Sequence, residues 1–152
     1  FLNNYFVDKV TYQLTSMVDS VIGYITDRED SSVLYTNLLD FYSITSGAHI
    51  IVFDSEKNIQ AYSSSAAEAL GRKRSLPPSL VDEILKGETV NHIDKFNNAF
   101  GSSVVVVGKP VYYGQHIIGG VFALVPVPYL SGLKYEVFKP LLFGARKRFG
   151  RK

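Results

Sequence analysis

The 152-residue sequence has no cysteine and no tryptophan, one methionine, and only three histidines, His49, His92 and His116. Without cysteine there is no disulfide, no thiolate zinc or iron–sulfur site and no cysteine nucleophile. The lack of cysteine does not fix the compartment. The histidines form neither HExxH nor any i, i+4 pair, which excludes a zincin site. No run of 18 or more apolar residues occurs, so no segment reads as a bilayer span. No signal peptide is recognisable. GxxxxGK[ST], GxGxxG and GxSxG are missing as well. What is present is ordinary globular material, 46% hydrophobic and 20% charged. The length is that of one domain, able to bury roughly two-thirds of its unfolded surface. We expect no cofactor and no catalytic residue, and read a binding domain. The chain begins at Phe1 and is expected to be part of a longer protein.

The formal net charge of +2 hides an asymmetry. Residues 131–152 carry seven basic groups (Lys134, Lys139, Arg146, Lys147, Arg148, Arg151 and Lys152) and one acid, Glu136. Residues 1–130 carry nine basic and thirteen acidic groups. We therefore divide the chain into a mildly acidic domain, 1–130, and a basic tail, 131–152. Such a tail can bind nucleic acid or anionic headgroups, or simply be solvated. Nucleic acid is not the expected partner.

Along the chain, Leu2, Phe6, Val10, Leu14, Met17, Val21 and Ile25 recur at steps of three or four and predict a long helix over 1–27. Asp30-Ser31-Ser32 offers a cap for a second helix with Leu34, Leu38, Phe41 and Tyr42 on one face, ended by Gly47. Residues 48–54 and 58–63, around the turn Ser55–Asn58, read as a β-hairpin. Residues 64–75 read as a loop with at most one helical turn at Ala66–Leu70. Pro77-Pro78 then introduces a short helix to Lys86 with Leu80, Val81, Ile84 and Leu85 inward. A weak strand at 89–94 precedes a turn at 96–101. Two stronger strands, 103–113 and 116–125, flank Gly114-Gln115, a connector suited to a type II′ turn, and Pro126 is expected to end regular structure. The order predicts an α+β domain with an antiparallel sheet and helices on one face.

Ser63-Ser64-Ser65 beside Arg72 has no identifiable base, and Asp54 opens a hairpin turn, where aspartate serves local turn bonds. His49 and His116 read as partly exposed strand histidines. His92, in the loop-rich half with Arg72, Lys73 and Arg74, could hold an anion or report pH. Tyr62, Phe96, Phe100 and Tyr112 fall where loops meet the sheet, as the aromatic wall of a small-molecule pocket does.

Four pieces carry a resemblance. Ser46-Gly47-Ala48-His49-Ile50-Ile51-Val52-Phe53-Asp54 and Asn58-Ile59-Gln60-Ala61-Tyr62-Ser63 are the first two. Leu85-Lys86-Gly87-Glu88 is the third. Val107-Gly108-Lys109-Pro110-Val111 with Ile117-Ile118-Gly119-Gly120-Val121-Phe122 is the fourth. In this order they resemble the extracytoplasmic PAS-like (single-Cache-like) sensor domain of membrane-bound bacterial two-component sensor histidine kinases, over roughly residues 33–127. The resemblance implies a five-stranded antiparallel PAS-like sheet with the long N-terminal helix and further helices packed on it. It implies a sensor on the extracytoplasmic face of the membrane that relays its signal through residues 1–27. A pocket would lie between the sheet and residues 63–100. For its ligand we single out Tyr62, Ser63, Arg72, Arg74, His92 and Lys109, the basic groups suiting a small anion. A homodimer through the N-terminal helix is expected. The parent protein would be a histidine kinase, while this stretch holds neither a phosphoacceptor segment nor an ATP-binding region. One departure is the basic segment 129–152, interrupted by Gly132, Pro140 and Gly144, where a second membrane helix would follow. Two other readings stand beside this one: a dimerising spacer that binds nothing, and a soluble PAS- or GAF-like regulator whose tail touches nucleic acid.

Overall fold

The computed structural model of the chain describes residues 4–27, 32–72 and 75–128. The expected cap Asp30-Ser31, Arg74 and the basic tail lie outside them. The element order is α1 (Asn4–Asp27), α2 (Ser32–Ser46), β1 (His49–Asp54), β2 (Ile59–Tyr62), α3 (Ser64–Leu70), α4 (Pro78–Leu85), β3 (Val90–Asp94), β4 (Val104–Tyr113) and β5 (His116–Pro126). The strands form one sheet in the order β2-β1-β5-β4-β3, and every neighbouring pair is antiparallel.

β5 sits at the centre, and both of its neighbours reach it without parallel pairing. β4 turns into it through Gly114-Gln115, where Gly114 takes φ +66°. That positive φ at the first turn position is what a type II′ connector requires. β1 pairs from His49↔Leu124 to Asp54↔Gly119. The β1–β2 turn is held by Asp54, whose Oδ1 accepts the N–H groups of Glu56 and Asn58, both at 2.9 Å. These bonds to the ionised carboxylate, led by that of Asn58, lower its pKa.

The helices cover both faces of the sheet, not one as expected. On one face, Val10, Leu14, Met17, Val18 and Val21 of α1 and Leu39 of α2 pack on Ile50, Val52, Val105, Val107, Val111, Val121, Ala123 and Val125. On the other, Ala66 of α3 and Leu80, Val81 and Ile84 of α4 pack on Ile51, Phe53, Val104, Val106, Phe122 and Leu124. The physical reason is in the central strands. Residues 104–107 and 119–125 are buried without interruption, the pattern of strands enclosed on both sides.

Three local expectations change. Residues 64–70 form a helix, α3, because the Ser63 carbonyl accepts the N–H groups of Ala66 and Ala67. Among the residues of α2 whose side chains are described, Leu39, Ser43 and Ser46 are buried, while Phe41 faces solvent. The small serines let α2 approach β1 and α3 closely, and Ser46 Oγ returns its bond to the Tyr42 carbonyl at 2.6 Å. Finally, β5 continues through Pro126, opposite Val104. Its pairing with β1 has stopped at Leu124, so the missing N–H lies where only one neighbour remains.

α1 runs alongside β4. Its early residues Val7–Thr15 share a cleft with Ile93 and Val105, and Asp19 reaches Lys109 further along β4. β5, antiparallel to β4, ends beside Val104. The described chain therefore enters and leaves at the same end of the sheet.

Candidate functional site

Strand phase decides which side chains share a face. His49, Ile51 and Phe53 alternate out of β1 toward α3 and α4, and Tyr62 joins them opposite Ile51. At the start of β1 this face carries a compact polar cluster. His49 Nδ1 lies 2.8 Å from Ser65 Oγ. Ser65 Oγ lies 2.8 Å from Ser43 Oγ of α2 and 3.3 Å from Ser63 Oγ. Ser63 Oγ also accepts the Ile50 N–H at 3.1 Å, while the Ser63 N–H donates to the Ile50 carbonyl at 2.9 Å. Asp40 of α2 completes the docking by accepting the N–H of Ser64 at 2.7 Å and its hydroxyl at 3.0 Å.

The His49 ring packs on Phe100 with centroids 4.7 Å apart. Burial pushes its pKa down from 6.5 to about 4, because a cation there would lose its water. The ring is therefore neutral at pH 7, hydrogen-bonded to one hydroxyl that is itself shared with two others. Beyond it lies an aromatic floor. Phe53 and Phe122 are 5.3 Å apart, Phe96 meets Phe122 edge-on at 5.2 Å, and Phe96 lies 5.9 Å from Phe100. Gly108 and Gly120 hollow the sheet beneath it. A Cβ on Gly120 would stand 2.5 Å from Phe53 Cζ and 2.7 Å from Ile84 Cγ2, and one on Gly108 2.6 Å from Ile84 Cδ1.

The six residues singled out from the sequence do not gather in one place. Tyr62 and Ser63 adjoin the His49 cluster. Ser63 is fully buried and bonded to the backbone, so it supports the cluster from within. Arg72 is exposed just beyond α3, and Arg74 lies outside the described residues. His92 is exposed on β3, the opposite edge strand from β2. Four strand spacings separate the two edges, roughly 19 Å, too far for one small molecule to touch both. Lys109 points to the α1 face, where its Nζ pairs with Asp19 Oδ1 at 2.8 Å. Its phase on β4, with Val105 and Val107, puts it on the far side of the sheet from Tyr62.

His49, Ser43, Ser65 and Asp40 were missed as a group. The signal was available in part. His49 shares the strand phase of Ile51 and Phe53, and Leu39, Ser43 and Ser46 recur at helical spacing. The meeting of α2 with α3 is a tertiary fact that no local pattern carries.

A depression lies on the α1 side of the sheet. It is an open cleft of about 590 Å³ between the flank of α1 and β3, lined by Val7, Asp8, Thr11, Tyr12, Ile93 and Val105 among others. Among the described residues, no group of three or more His, Asp or Glu side chains could hold a metal. No described helix is long and apolar enough to cross a membrane.

No protein-family model matches the chain, and no curated protein sequence matches it. Solved structures do. The sensory domain of the Campylobacter jejuni chemoreceptor Tlp3 matches 87% of this chain with TM-score 0.58 and 14% identity. The sensor domain of the Vibrio cholerae histidine kinase DctB matches 86% with TM-score 0.53 and 14% identity. The ligand-binding domain of the Pseudomonas aeruginosa amino acid chemoreceptor PctC matches 84% with TM-score 0.54 and 8% identity. The matches span 62%, 46% and 61% of those chains, so this chain corresponds to only part of each. With the two-sided sheet, the long flanking helix and the common end of entry and exit already described, the fold of this chain is that of the sensory domains of bacterial chemoreceptors and sensor histidine kinases.

Proposed function

We propose that the chain is the extracytoplasmic sensory domain of a membrane-bound receptor of the sensor histidine kinase type, and that it performs no chemistry itself. It takes a small polar molecule on the α3–α4 face, beside Tyr62, His49 and Ser65. Arg72 stands just beyond the far end of α3, where it draws in a carboxylate, with Arg74 two residues further along the sequence. Similar solved domains take molecules of this size. That of Tlp3 is complexed with L-norvaline and that of PctC with GABA. The observation that carries the reading is the half-buried polar cluster centred on Ser65, which offers hydroxyl and imidazole groups on the face that α3 and the 96–101 turn cover. α1 packs on the opposite face, so a change in strand position on one side is felt by a helix on the other. That is a population shift in a helical element.

Thermal-shift screening of the 152-residue chain against amino acids and small carboxylates tests this. A ligand at a hundred times its Kd adds about 2.7 kcal/mol of stability. The gain should disappear in Ser65→Ala and shrink in Arg72→Ala. No stabilisation by any compound would count against the reading.

A second reading, a spacer that dimerises and binds nothing, is favoured by one observation. Phe53, Phe96 and Phe122 are 1%, 0% and 0% exposed, so the floor of the face is already filled. The apolar stripe of α1 is turned inward, since Val10, Leu14, Met17, Val18 and Val21 are buried against the chain's own sheet. A dimer would have to use the remaining flank around Tyr12, which is 66% exposed. Sedimentation of the wild type and Tyr12→Asp distinguishes this reading: dimers lost in the variant, with no ligand found, support it.

A further inference from the structure

The turn over the α3–α4 face is wound the wrong way. Phe96, Asn97 and Asn98 take φ of +51°, +58° and +61° in succession, followed by Gly101 at +72°. Asparagine tolerates the left-handed region, but a bulky residue such as phenylalanine rarely occupies it. Three such residues in a row persist only where the surroundings over-determine them. The holding contacts are identifiable. Asp94 Oδ2 accepts the Phe96 N–H at 2.7 Å. The Phe96 ring is fully buried on Phe122. Asn97 Nδ2 donates to Ser75 Oγ at 3.3 Å. At the far end, Phe100 rests on His49. This last contact rests on a ring that can gain a proton.

We propose that His49 is an acid-responsive latch: its neutral ring holds Phe100 and, through Ser65, α2 and α3, and its protonation releases the left-handed turn from the ligand face. This regulates the site proposed above and rests on that reading. The geometry explains why one proton suffices. Ser65 can accept from a protonated Nδ1, so no hydrogen bond need be lost. The charge, however, is left in a half-buried site where burial is the cause of the shift and no described residue is seen to pair with the ring as a counter-ion. The ionisable groups on the elements around the ring are Asp40 of α2, Glu68 of α3, Tyr62 of β2, and Asp94 and Lys95 before the turn. β5 presents Leu124 opposite His49 and no charge. Asp40 is engaged by Ser64, and Asp94 by the Phe96 N–H. The downward shift of the ring's pKa has burial as its cause, with no neighbouring charge contributing. A charged His49 therefore recovers its hydration by parting from Phe100, and the strained turn has every reason to follow.

The sign is fixed by linkage. The folded pKa, about 4, lies below the ordinary 6.5. The closed turn is favoured fully above pH 6.5 and loses that advantage as pH falls from 6.5 toward 4. The test is amide hydrogen exchange on the ligand-free 152-residue chain at pH 7 and pH 5, corrected for intrinsic rates. It reads the turn amides of Asn98, Ala99 and Gly101, which donate to Lys95, Phe96 and Asn98 carbonyls. Protection there should fall about tenfold or more at pH 5, while β4–β5 amides stay unchanged. His49→Gln, which keeps polar contact with Ser65, and His49→Phe, which keeps a ring on Phe100, should both make turn protection independent of pH. Unchanged protection in the wild type, or the same acid loss in both variants, overturns the latch. Because no ligand is present, a failed ligand screen leaves this result standing, and a ligand found beside flat exchange overturns the latch alone.

Discussion

The two faces of the sheet are packed by different chemistry. Toward α1 the buried side chains are almost all aliphatic, with Val10, Leu14, Val18 and Val21 set against a field of valines and alanines. Toward α3 and α4 the packing is aromatic, with Phe53, Phe96 and Phe122 over a floor thinned by Gly108 and Gly120. Polar contacts follow the same division. On the α1 face a rim ion pair, Lys109–Asp19, joins sheet and helix. The other face holds a half-buried histidine, three serines and a left-handed turn. Interdigitated aliphatic packing transmits displacement because it has little room to yield. Rings, glycines and shared hydroxyls offer discrete alternatives. On the function proposed above, the α1 face would couple and the α3–α4 face would respond.

The largest effect should come from loosening the coupling face. Leu14 is fully buried at the middle of α1, and Leu14→Ala should cost about 2–5 kcal/mol by chemical denaturation. A cost under about 1 kcal/mol would mean that α1 is a detachable cover and the contrast is misplaced. Next in size is Gly120→Ala on the responding face. The new Cβ would overlap Phe53 and Ile84, both essentially without solvent exposure, and should cost about 1–3 kcal/mol. Near-neutral behaviour would be informative in another direction. It would mean that Phe53 and Ile84 can move aside, as entry of a ligand to the filled floor also requires.

How far the sequence disclosed this division depends on which interactions are local. The α1 stripe, the Asp54 turn, the Pro77-Pro78 helix start and the Gly114 connector are each set by a few adjacent residues, and each was read in place. The five-stranded antiparallel sheet was legible because its two hairpins force neighbouring strands to pair. The second covered face was signalled by the unbroken apolar runs at 104–107 and 121–125, but the element order alone suggested helices on one face. The site fared worse. Arg72, His92 and Lys109 were grouped by charge and by nearness to loops, but strand order sends β2 and β3 to opposite edges, and strand phase turns Lys109 away. Conversely, His49 reads as a partly exposed strand histidine and is half-buried on β1; its contact with Ser65 was not legible, because α3 begins at a serine whose role depends on a carbonyl bond.

The smallest expected effect tests whether the rim ion pair contributes to coupling at all. The Lys109 side chain is 29% exposed and that of Asp19 55%, so the pair sits where water and salt screen it. Lys109→Ala should cost at most about 1 kcal/mol, and less in 0.5 M salt. Lys109→Met keeps the stem that lies along the sheet and should recover most of any loss. If Lys109→Ala instead costs as much as Leu14→Ala, the α1 face is held by charge as well as by aliphatic packing. α1 would then respond to ionic strength, and a helix that reports salt could not serve as a neutral transmitter of events on the opposite face.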